Sequence, residues 1–415
     1  MQKVQLAIVG CGGMGGRHLL GLKELADTGM SNVELAAACD LRQDNAENLA
    51  NDAEKLLGRR PLVFGDMGNM VAALPNLDAV DITTDAGSHH RVACAAFDLG
   101  LNVLCEKPLA LTIRGANLIL AAQKRSGKLL SVAENYRRDP LLRLAKALLE
   151  AGVIGQPYTM FEISAGSSDK IIILPWRHYK NVGGILLDMG VHHADVAQYL
   201  LGDIAETYGK IKLYEKIRRK GESFMPFYAR WQSEIPAEIE ATAEDGLFSV
   251  LTFKSGLFAN YAAFFAAHGE GLGRNVIYGN LGSMRLAGAR SGVPPTLNLD
   301  DRGEITGNAL LDLLPSFRLD AITTALFGGE RIGSYSLPSG AADRKLLAIE
   351  LYELADCVLN GKAPEVDGFV GRSAMAAVYA IFESSVLNRP VTVAEIEAER
   401  TGVYEAEINS YLRLT

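Results

Sequence analysis

The chain opens with a short apolar segment that runs directly into closely spaced glycines. Residues 4–9 read VQLAIV, and Gly10, Gly12 and Gly15 follow in G-x-G-x-x-G spacing. This pattern is expected where a buried β-strand turns tightly into a helix whose N-terminus faces the pyrophosphate of a dinucleotide. The glycine spacing alone is weak evidence, because 42 of the 415 residues are glycine. Its place between a strand and the helical pattern of 15–25 makes it informative.

An acidic residue follows at the end of the second predicted strand. Asp40 stands 25 positions after Gly15. Its carboxylate can accept hydrogen bonds from the adenosine ribose hydroxyls and repels a 2′-phosphate, which favours NAD. Arg42, two residues later, can instead accommodate the phosphate of NADP, so NADP stays open as the alternative. A turn or helix-capping role is the structural alternative for Asp40.

Up to about residue 135, short apolar runs alternate with helical patterns. The predicted strands are 4–9, 33–39, 79–83, 102–105 and 129–133, and the predicted helices are 15–25, 43–57, 67–73, 89–99 and 112–126. Alternation of this kind builds a parallel sheet through right-handed crossovers. The sequence therefore predicts an α/β dinucleotide-binding domain of the Rossmann type at 1–135.

After residue 135 the pattern changes to consecutive strands with few helices between them. A helix is predicted at 140–151, strands at 158–164, 207–213, 238–243, 248–253 and 257–266, and helices at 344–360 and 372–387. Consecutive strands indicate a mainly antiparallel sheet, so 136–415 is predicted to form an α+β domain. Residues 285–340 are rich in glycine and proline and predict long connections with short strands.

Composition and charge exclude several classes of protein. Hydrophobic residues make up 48% and charged residues 22% of the chain, as in a soluble globular protein. A net charge of -8 argues against nucleic-acid binding, and the short basic run 216–220 predicts only a solvated face. No secretion signal or apolar segment of about 20 residues is present, so we expect a cytoplasmic protein without membrane contact. Five scattered cysteines indicate reduced thiols and no metal site.

Polar residues follow two further strands of the predicted parallel sheet. Thr83 and Thr84 end the third strand, and Glu106, Lys107 and Pro108 follow the fourth. Loops at the carboxyl ends of parallel strands surround the ligand crevice, so we expect Lys107 beside the nicotinamide. Pro108 restricts the backbone of Lys107 and permits a cis peptide bond. A surface lysine that precedes a helix is the alternative.

A second motif lies in the segment GGILLDMGVHHAD, which begins at Gly183. Asp188, His192 and Asp195 occur at i, i+4 and i+7, so they share one face of a helix. A histidine suits proton transfer near neutral pH, and a carboxylate one turn away can bind the imidazole or a substrate hydroxyl. A buried structural histidine is the alternative for His192. His193 lies about 100° away around the helix and is a secondary candidate.

These motifs together resemble the Gfo/Idh/MocA family of oxidoreductases. The matching segments are GCGGMG at Gly10, the stretch from Thr84 to His89, GLNVLCEKPLA at Gly100, ENYRR at Glu134, GVIGQP at Gly152, PWR at Pro175 and GGILLDMGVHHAD at Gly183. EKP followed by G-x-L-x-D-x-G-x-H-x-x-D is much more specific than the glycine loop alone. The resemblance implies an NAD(P)-binding domain and an open antiparallel sheet that often packs against another subunit, which predicts a homodimer or homotetramer.

The resemblance also implies roles for individual residues. The catalytic lysine, aspartate and histidine of the family fall on Lys107, Asp188 and His192. Cofactor contacts are implied, together with the reasoning above, for Gly10, Gly12, Gly13, Met14, Gly15, Asp40, Arg42, Thr83, Thr84, His89, Glu106 and Lys107. Positions on the substrate side fall on Tyr136, Arg137, Trp176, Arg177, Asp188, His192 and His193.

Two positions depart from the family pattern. The family commonly has T-P-N after the third strand, whereas this chain has Thr84, Asp85 and Ala86. Val182 replaces the first of three glycines that often precede the aspartate helix, which reduces backbone freedom at that turn. We therefore expect this chain to differ from the family in the contacts of that loop with the cofactor and in the geometry of the turn before the aspartate helix.

The resemblance implies a dehydrogenase acting on a secondary alcohol of a sugar, cyclic polyol or glycoside. His192 is then the general base, Lys107 stabilises the developing alkoxide, and Asp188 assists. One alternative is an enzyme that keeps NAD bound and oxidises its substrate only transiently, so that a glycosidic bond or substituent can be eliminated. A second alternative is a non-catalytic NAD-binding regulator.

Overall fold

A computed structural model describes residues 2–221 and 226–414. The chain separates into two compact units, one holding the chain up to Asn135 and the other beginning at Tyr136. The segments Asp320–Gly328 and Pro338–Arg372 also belong to the first unit. The predicted assignment of all of 136–415 to one domain therefore differs from these units.

The first unit is built on a six-stranded parallel sheet. Its elements in chain order are β1 (Val4–Val9), α1 (Gly13–Asp27), β2 (Val33–Cys39), α2 (Gln43–Leu57), β3 (Leu62–Phe64), α3 (Met67–Ala73), β4 (Ala79–Ile82), α4 (His89–Asp98), β5 (Asn102–Glu106), α5 (Ile113–Ser126) and β6 (Leu130–Ala133). The strand order is β3-β2-β1-β4-β5-β6, with all neighbours parallel. This is the Rossmann order, and the predicted class of the first domain is confirmed.

The other elements continue in chain order: α6 (Pro140–Glu150), β7 (Pro157–Ser167), α7 (Gly184–Leu201), β8 (Ile204–Lys212), β9 (Ile217–Arg219), β10 (Glu238–Glu240), β11 (Gly246–Phe253), β12 (Phe258–Ala267), β13 (Leu272–Gly279), β14 (Gly282–Leu286), β15 (Thr296–Leu299), β16 (Gly303–Thr306), α8 (Ala309–Asp312), α9 (Ala321–Phe327), α10 (Ala341–Asn360), α11 (Gly368–Leu387), β17 (Val391–Thr392), α12 (Val393–Glu397) and α13 (Ala406–Leu412). Short 3₁₀ turns occupy Tyr136–Arg138, Pro175–His178, Lys180–Val182 and Pro226–Glu234.

A nine-stranded sheet forms the centre of the second unit. Its order is β16-β15-β14-β13-β7-β12-β11-β8-β17, and β9 pairs with β10 in a separate two-stranded sheet. Only the β7–β12 pair of the large sheet is parallel. The predicted mainly antiparallel class is therefore confirmed. β13 and β14 were not predicted, because glycines and arginines interrupt their apolar pattern.

One face of the large sheet is exposed. On β11, Leu247, Ser249 and Leu251 are buried, whereas Phe248 and Val250 are exposed. The pairing register extends the exposed side to neighbouring strands. Its exposed aromatic and branched side chains, here called the open sheet face, are Phe161, Tyr208, Phe248, Val250 and Phe258.

Helix α10 returns to the first unit because it packs on α1. A Cβ at Gly21 would lie only 2.9 Å from the Cβ of Leu347, so the helix backbones approach closely at that glycine. Arg17 of α1 forms hydrogen bonds of 2.5 and 3.1 Å with the carboxylate of Asp343 on α10. Apolar burial and this ion pair, rather than position in the chain, thus determine the unit to which α10 belongs.

Two expectations about local segments are corrected. The basic run 216–220 is not a solvated face throughout, because Arg218 is fully buried and its Nη2 donates to Asp245 Oδ2 at 2.7 Å. The segment 285–340 contains two short helices, α8 and α9, besides the expected short strands. Local composition does not reveal which side chain of a short strand turns inward.

All five cysteines are free thiols, as their scattered spacing predicted, and four of them are buried. Within 2–221 and 226–414, no helix combines the length and the apolar character needed to cross a membrane.

Candidate active site

The first glycine loop is shaped by close backbone contacts. Gly10 has a φ of +98°, and a Cβ there would lie 2.7 Å from the backbone N of Thr84. A Cβ at Gly15 would lie 2.4 Å from the carbonyl oxygen of Gly10. At Gly12, by contrast, no described atom lies within 4 Å of the Cβ position. The loop therefore leaves open space beside the N-terminus of α1, which fits a pyrophosphate.

The first turn of α1 begins with Gly13 and Met14. Gly12, the N-cap residue, supplies no side-chain hydrogen bond to this turn. The N–H groups of a first helical turn have no intrahelical acceptor, so a bound anion can accept from them. These three positions thus fit the predicted contact with the cofactor.

Asp40 braces the same loop. Its Oδ2 accepts from the backbone N–H of Cys11 at 2.7 Å, and its Oδ1 accepts from that of Arg42 at 2.8 Å. Each carboxylate oxygen has a second lone pair, so acceptor capacity remains for ribose hydroxyls. The guanidinium of Arg42 forms an exposed ion pair with Asp44 at 3.0 Å and holds the pKa of Asp44 below its usual value. That pairing competes with capture of a 2′-phosphate.

Thr83 and His89 connect the loops that follow β1, β4 and β5. Thr83 Oγ1 donates to the carbonyl oxygen of Gly10 at 2.6 Å. The ring nitrogens of His89 lie 3.1 Å from the Thr84 carbonyl oxygen and 2.9 Å from that of Pro108. Because both ring nitrogens face protein carbonyls, His89 braces the two loops, and any effect on the cofactor acts through them.

Lys107 follows β5 in a constrained segment. The Lys107–Pro108 peptide bond is cis. The backbone N–H of Lys107 donates to Glu106 Oε2 at 2.9 Å. Glu106 was predicted among the cofactor contacts, but its other oxygen lies 2.9 Å from Nε2 of the buried His18. The carboxylate of Glu106 is thus engaged by the protein itself.

The predicted face of α7 is present in the second unit. The helix begins at Gly184, and Asp188, His192 and Asp195 are all buried on it. Asp188 Oδ2 accepts from Nε of Arg177 at 2.8 Å. Arg177 also lies over the ring of Trp176, with Cζ 4.3 Å from the ring centroid. The predicted residues of the PWR and aspartate motifs are therefore brought together.

The ring of His192 stacks on Tyr136. The ring centroids are 4.0 Å apart and the planes differ by 5°. Nη2 of Arg290 donates to the hydroxyl of Tyr136 at 2.9 Å, and its guanidinium lies 4.8 Å from the centre of that ring. Arg290, Tyr136 and His192 thus form a layered group that fixes the plane of the imidazole.

Asp139 holds this group from behind. Its Oδ2 accepts from the backbone N–H of Arg290 and from the hydroxyl of Tyr335, both at 2.7 Å. Its Oδ1 accepts from the backbone N–H of Leu141 at 2.9 Å, which caps α6. Burial raises the pKa of Asp139. One carboxylate therefore joins α6 to two loops from the segment 285–340.

Arg137 and His193 are placed differently from the other predicted substrate residues. Arg137 forms a buried bidentate pair with Asp195, at 2.8 and 2.5 Å. Nδ1 of His193 lies 2.6 Å from Glu162 Oε1, and its ring lies 5.2 Å from that of Tyr261. His193 therefore turns toward the covered side of the large sheet. Neither arrangement favours direct contact with a substrate.

Two family models match the chain. The oxidoreductase family model with an NAD-binding Rossmann fold matches residues 4–134, and the Gfo/Idh/MocA C-terminal domain model matches residues 142–285. The chain belongs to the Gfo/Idh/MocA family. It is an NAD-binding oxidoreductase, so the predicted family, enzyme class and cofactor are confirmed.

Relatives in the Gfo/Idh/MocA family include dehydrogenases of sugars and polyols. D-apiose dehydrogenase of Paraburkholderia graminis is 26% identical over 411 residues, which cover 96% of this chain and 92% of that protein. Myo-inositol 2-dehydrogenase of Thermotoga maritima is 27% identical over 222 residues, covering 53% of this chain and 62% of that protein. A solved structure of levoglucosan dehydrogenase in complex with NADH is 23% identical, covers 94% of this chain and 99% of that chain, and has a TM-score of 0.72. The structural likeness shows a shared fold.

The two departures from the Gfo/Idh/MocA pattern are accommodated locally. Ser88 Oγ lies 2.8 Å from Thr84 Oγ1 and 2.8 Å from the carbonyl oxygen of Asp85, so the loop without T-P-N has its own hydrogen bonds. Before α7, positive φ angles occur at Gly183 (+119°) and Gly184 (+66°). The turn therefore uses the two glycines that remain, and a valine at 182 is tolerated.

Proposed function

We propose that this enzyme transfers a hydride between NAD and a secondary alcohol of a sugar, cyclic polyol or glycoside. The observation that carries the proposal is the buried group on α7, where His192 stacks on Tyr136 and Asp188 pairs with Arg177. Dehydrogenases named for D-apiose and myo-inositol among the relatives support this substrate class. A cytoplasmic location stays a prediction.

Oxidation of a carbinol requires removal of a hydride from carbon and of a proton from oxygen. NAD, when bound, supplies the hydride acceptor. An imidazole nitrogen of His192 takes the hydroxyl proton, because a neutral imidazole is an effective base near neutral pH. The ammonium of Lys107 stabilises the developing alkoxide. Asp188, held by Arg177, accepts a hydrogen bond from a neighbouring hydroxyl.

The aromatic rings of this region suit a sugar. Trp176 offers a flat apolar face to the C–H side of a ring, and Arg177 offers N–H donors to its hydroxyls. Tyr136 offers the edge of its ring, because its faces contact His192 and Arg290. Both aromatic residues are held by arginines, Trp176 by Arg177 and Tyr136 by Arg290. This combination fits a polyhydroxylated ring better than a small apolar alcohol.

The deciding experiment combines cofactor release with a substrate screen. The purified protein is denatured to detect bound nicotinamide cofactor, and the native protein is assayed at 340 nm with NAD or NADP against sugars, inositols and glycosides. Stoichiometric NADH with one substrate class is the expected result. Product without net NADH indicates transient oxidation instead. Bound NAD with no turnover of any alcohol indicates a regulator, and either outcome contradicts the proposal.

Replacing Asp40 by alanine is expected to shift cofactor preference toward NADP. The change removes hydrogen bonds to the ribose and the negative charge that repels a 2′-phosphate. A hydrogen bond to a charged group contributes about 1.5–3 kcal/mol, so the ratio of kcat/KM for NADP to that for NAD should rise by about 10- to 100-fold. Steady-state kinetics with both cofactors measures this ratio.

The matched control is Asp52→Ala, which removes a carboxylate from α2 in the same unit. Its cofactor ratio should equal that of the wild type. An unchanged ratio in Asp40→Ala would show that Asp40 serves only to brace the loop through Cys11 and Arg42.

We also propose that a second copy of the chain covers the open sheet face. Its exposed fractions range from 41% at Tyr208 to 60% at Phe258, and all five of its members are aromatic or branched apolar residues. An apolar surface of this extent on a soluble protein is normally buried in an interface, and a two-fold dimer can pair identical faces.

The double substitution Phe248→Lys with Val250→Lys is expected to abolish this association. Both side chains lie on the same exposed side of β11, so two added charges would face their own copies across the two-fold axis. Light scattering after size exclusion should give a dimer or tetramer for the wild type and 44.6 kDa for the variant. Tyr411→Lys, which changes an exposed residue on α13, is the control. A monomeric wild type contradicts this proposal.

A further inference from the structure

A buried ion cluster lies in the first unit, outside the residues assigned to chemistry. His18 on α1 is fully buried. Its Nδ1 lies 2.8 Å from Asp81 Oδ2 on β4, and its Nε2 lies 2.9 Å from Glu106 Oε1 at the end of β5. Ionised carboxylates only accept hydrogen bonds, so with both carboxylates ionised both ring nitrogens carry protons. His18, Asp81 and Glu106 are here called the His18 cluster.

The His18 cluster links two parts of the first unit that take part in the proposed chemistry, the start of α1 and Lys107. Helix α1 begins at the glycine loop, and His18 lies three residues after Gly15 on that helix. At the other end of the cluster, Glu106 Oε2 accepts from the backbone N–H of Lys107 at 2.9 Å. Two successive hydrogen bonds therefore run from the phosphate-binding helix to the backbone of Lys107.

Folding alone does not require such a cluster. Taking three charged groups out of water is costly, and apolar side chains of similar size often stabilise a protein as well or better. The groups of the cluster connect α1, β4 and β5, whose packing is already provided by apolar residues such as Leu19, Val80 and Leu104, all buried. A geometric role for the cluster is therefore the better explanation.

We propose that the His18 cluster positions Lys107 relative to the phosphate-binding helix α1, with His18 and Glu106 as positioning residues for hydride transfer. This inference rests on the function proposed above for Lys107. It gives a function to Glu106 and His18, two residues that take no direct part in the oxidation of the alcohol.

The charges agree with an ionised pair of His18 and Glu106 within the cluster. Burial alone would lower the pKa of His18, but the charges and hydrogen bonds of Asp81 and Glu106 raise it well above its usual value. Burial acts to raise the pKa of Glu106, but the bond to His18, with the charges of Lys107 and Arg17, holds it below its usual value. Burial raises the pKa of Asp81.

The sign of the pH effect follows from these opposing influences. Without the imidazolium, burial dominates at Glu106, so the pKa of its carboxyl rises. As the pH falls, Glu106 is then protonated at a higher pH than in the wild type, and the hydrogen bond that it accepts from the backbone N–H of Lys107 weakens. The acid limb of kcat in His18→Gln should therefore move to higher pH. The thiol of Cys105, which also lies beside the cluster, has a raised pKa because it is buried, so it stays neutral and adds no limb.

The test compares Glu106→Gln and His18→Gln with the wild type. A glutamine at 106 replaces one carboxylate oxygen by an NH2 group, so while His18 stays doubly protonated, either its Nε2–H or the Lys107 N–H faces a donor instead of an acceptor. Displacement of a catalytic group by about 1 Å can cost about 100-fold, so kcat should fall by about 10- to 100-fold while the KM for NAD changes less than about threefold. Leu351→Ala, which truncates a buried residue of α10 in the same unit, is the stability control.

Two further readouts separate positioning from a merely structural role. The first is the acid limb of the kcat profile, which should move to higher pH in His18→Gln and stay in place in Leu351→Ala. The second is ¹⁵N NMR of labelled histidine in the cofactor-free protein, where His18 should remain doubly protonated at pH 8. Glu106→Gln, which keeps the size of the side chain, decides the question if His18→Gln does not fold.

The outcomes are distinguishable. If both glutamine variants lose activity only in proportion to the fall in their Tm, as is expected of Leu351→Ala, the cluster is structural. The inference is then overturned while the proposed function stands. A neutral His18 at pH 8 also overturns it. If the wild type turns over no alcohol, the proposed function fails, and the positioning of Lys107 for hydride transfer fails with it.

Discussion

Replacing His192 by alanine should lower kcat by at least about two orders of magnitude. The substitution removes the only group proposed to take the hydroxyl proton, and general-base catalysis typically contributes about 10²- to 10⁴-fold. The ring of Tyr136 remains, held by Arg290, so the rest of the layered group is retained. NAD affinity should change less than about threefold, because the glycine loop is intact. Steady-state kinetics and cofactor titration measure the two effects.

The neighbouring histidine supplies the matched comparison. His193→Ala removes an imidazole from the next residue of the same helix, but His193 pairs with Glu162 on the covered side of the sheet. It should lower the Tm and leave kcat within about threefold of the wild type. The reverse ranking, with His193→Ala inactive and His192→Ala active, would assign the base to His193 and contradict the mechanism.

Lys107→Met should lower kcat by about 10²- to 10³-fold. The methionine keeps most of the length of the side chain and removes the ammonium that stabilises the developing alkoxide, and loss of one such donor typically costs this much. Because the backbone N–H still donates to Glu106, the loop after β5 should keep its conformation. The measurement is kcat with the best alcohol of the substrate screen, together with the Tm.

Lys124→Met is the control for Lys107→Met. Lys124 is an exposed lysine in the last turn of α5, in the same unit. Its removal should leave kcat unchanged. Full activity in Lys107→Met would show that Lys107 is only a surface lysine before a helix. It would also remove the basis for a positioning role of the His18 cluster.

The first unit was largely predictable because its signals are local. The predicted segments 4–9, 33–39, 43–57 and 67–73 agree with β1, β2, α2 and α3 at both ends. Apolar runs bounded by turn residues identify strands that are buried on both faces. The strand β3 was missed because it has only three residues and is partly exposed.

The second unit was less predictable because its strands depend on their partners. β13 has only three buried residues in eight, yet it pairs along its length with β7 and β14. Strands with mixed sequences acquire their conformation from the ladders beside them. The place of α10 in the first unit likewise depends on a partner, because its apolar side packs against α1.

The candidate site was also only partly predictable from the sequence. Helical spacing was enough to place Asp188, His192 and Asp195 on one face of α7. The partners of these residues come from elsewhere in the chain, and periodicity carries no information about them. The helix predicted at 140–151 starts at the D-P sequence of Asp139 and Pro140, which is a helix-start signal, but nothing local links Asp139 to Arg290 or Tyr335.

The sequence by itself determined the dinucleotide loop, the alternation of the first unit and the face of α7, because each depends on residues within one or two turns of each other. Only the tertiary structure decided what those residues touch. It paired Asp188 with Arg177, stacked Tyr136 on His192 and enclosed His18 between Asp81 and Glu106. Such contacts join residues 11 to 88 positions apart in the chain, and they depend on how buried surfaces pack and how buried charges find partners.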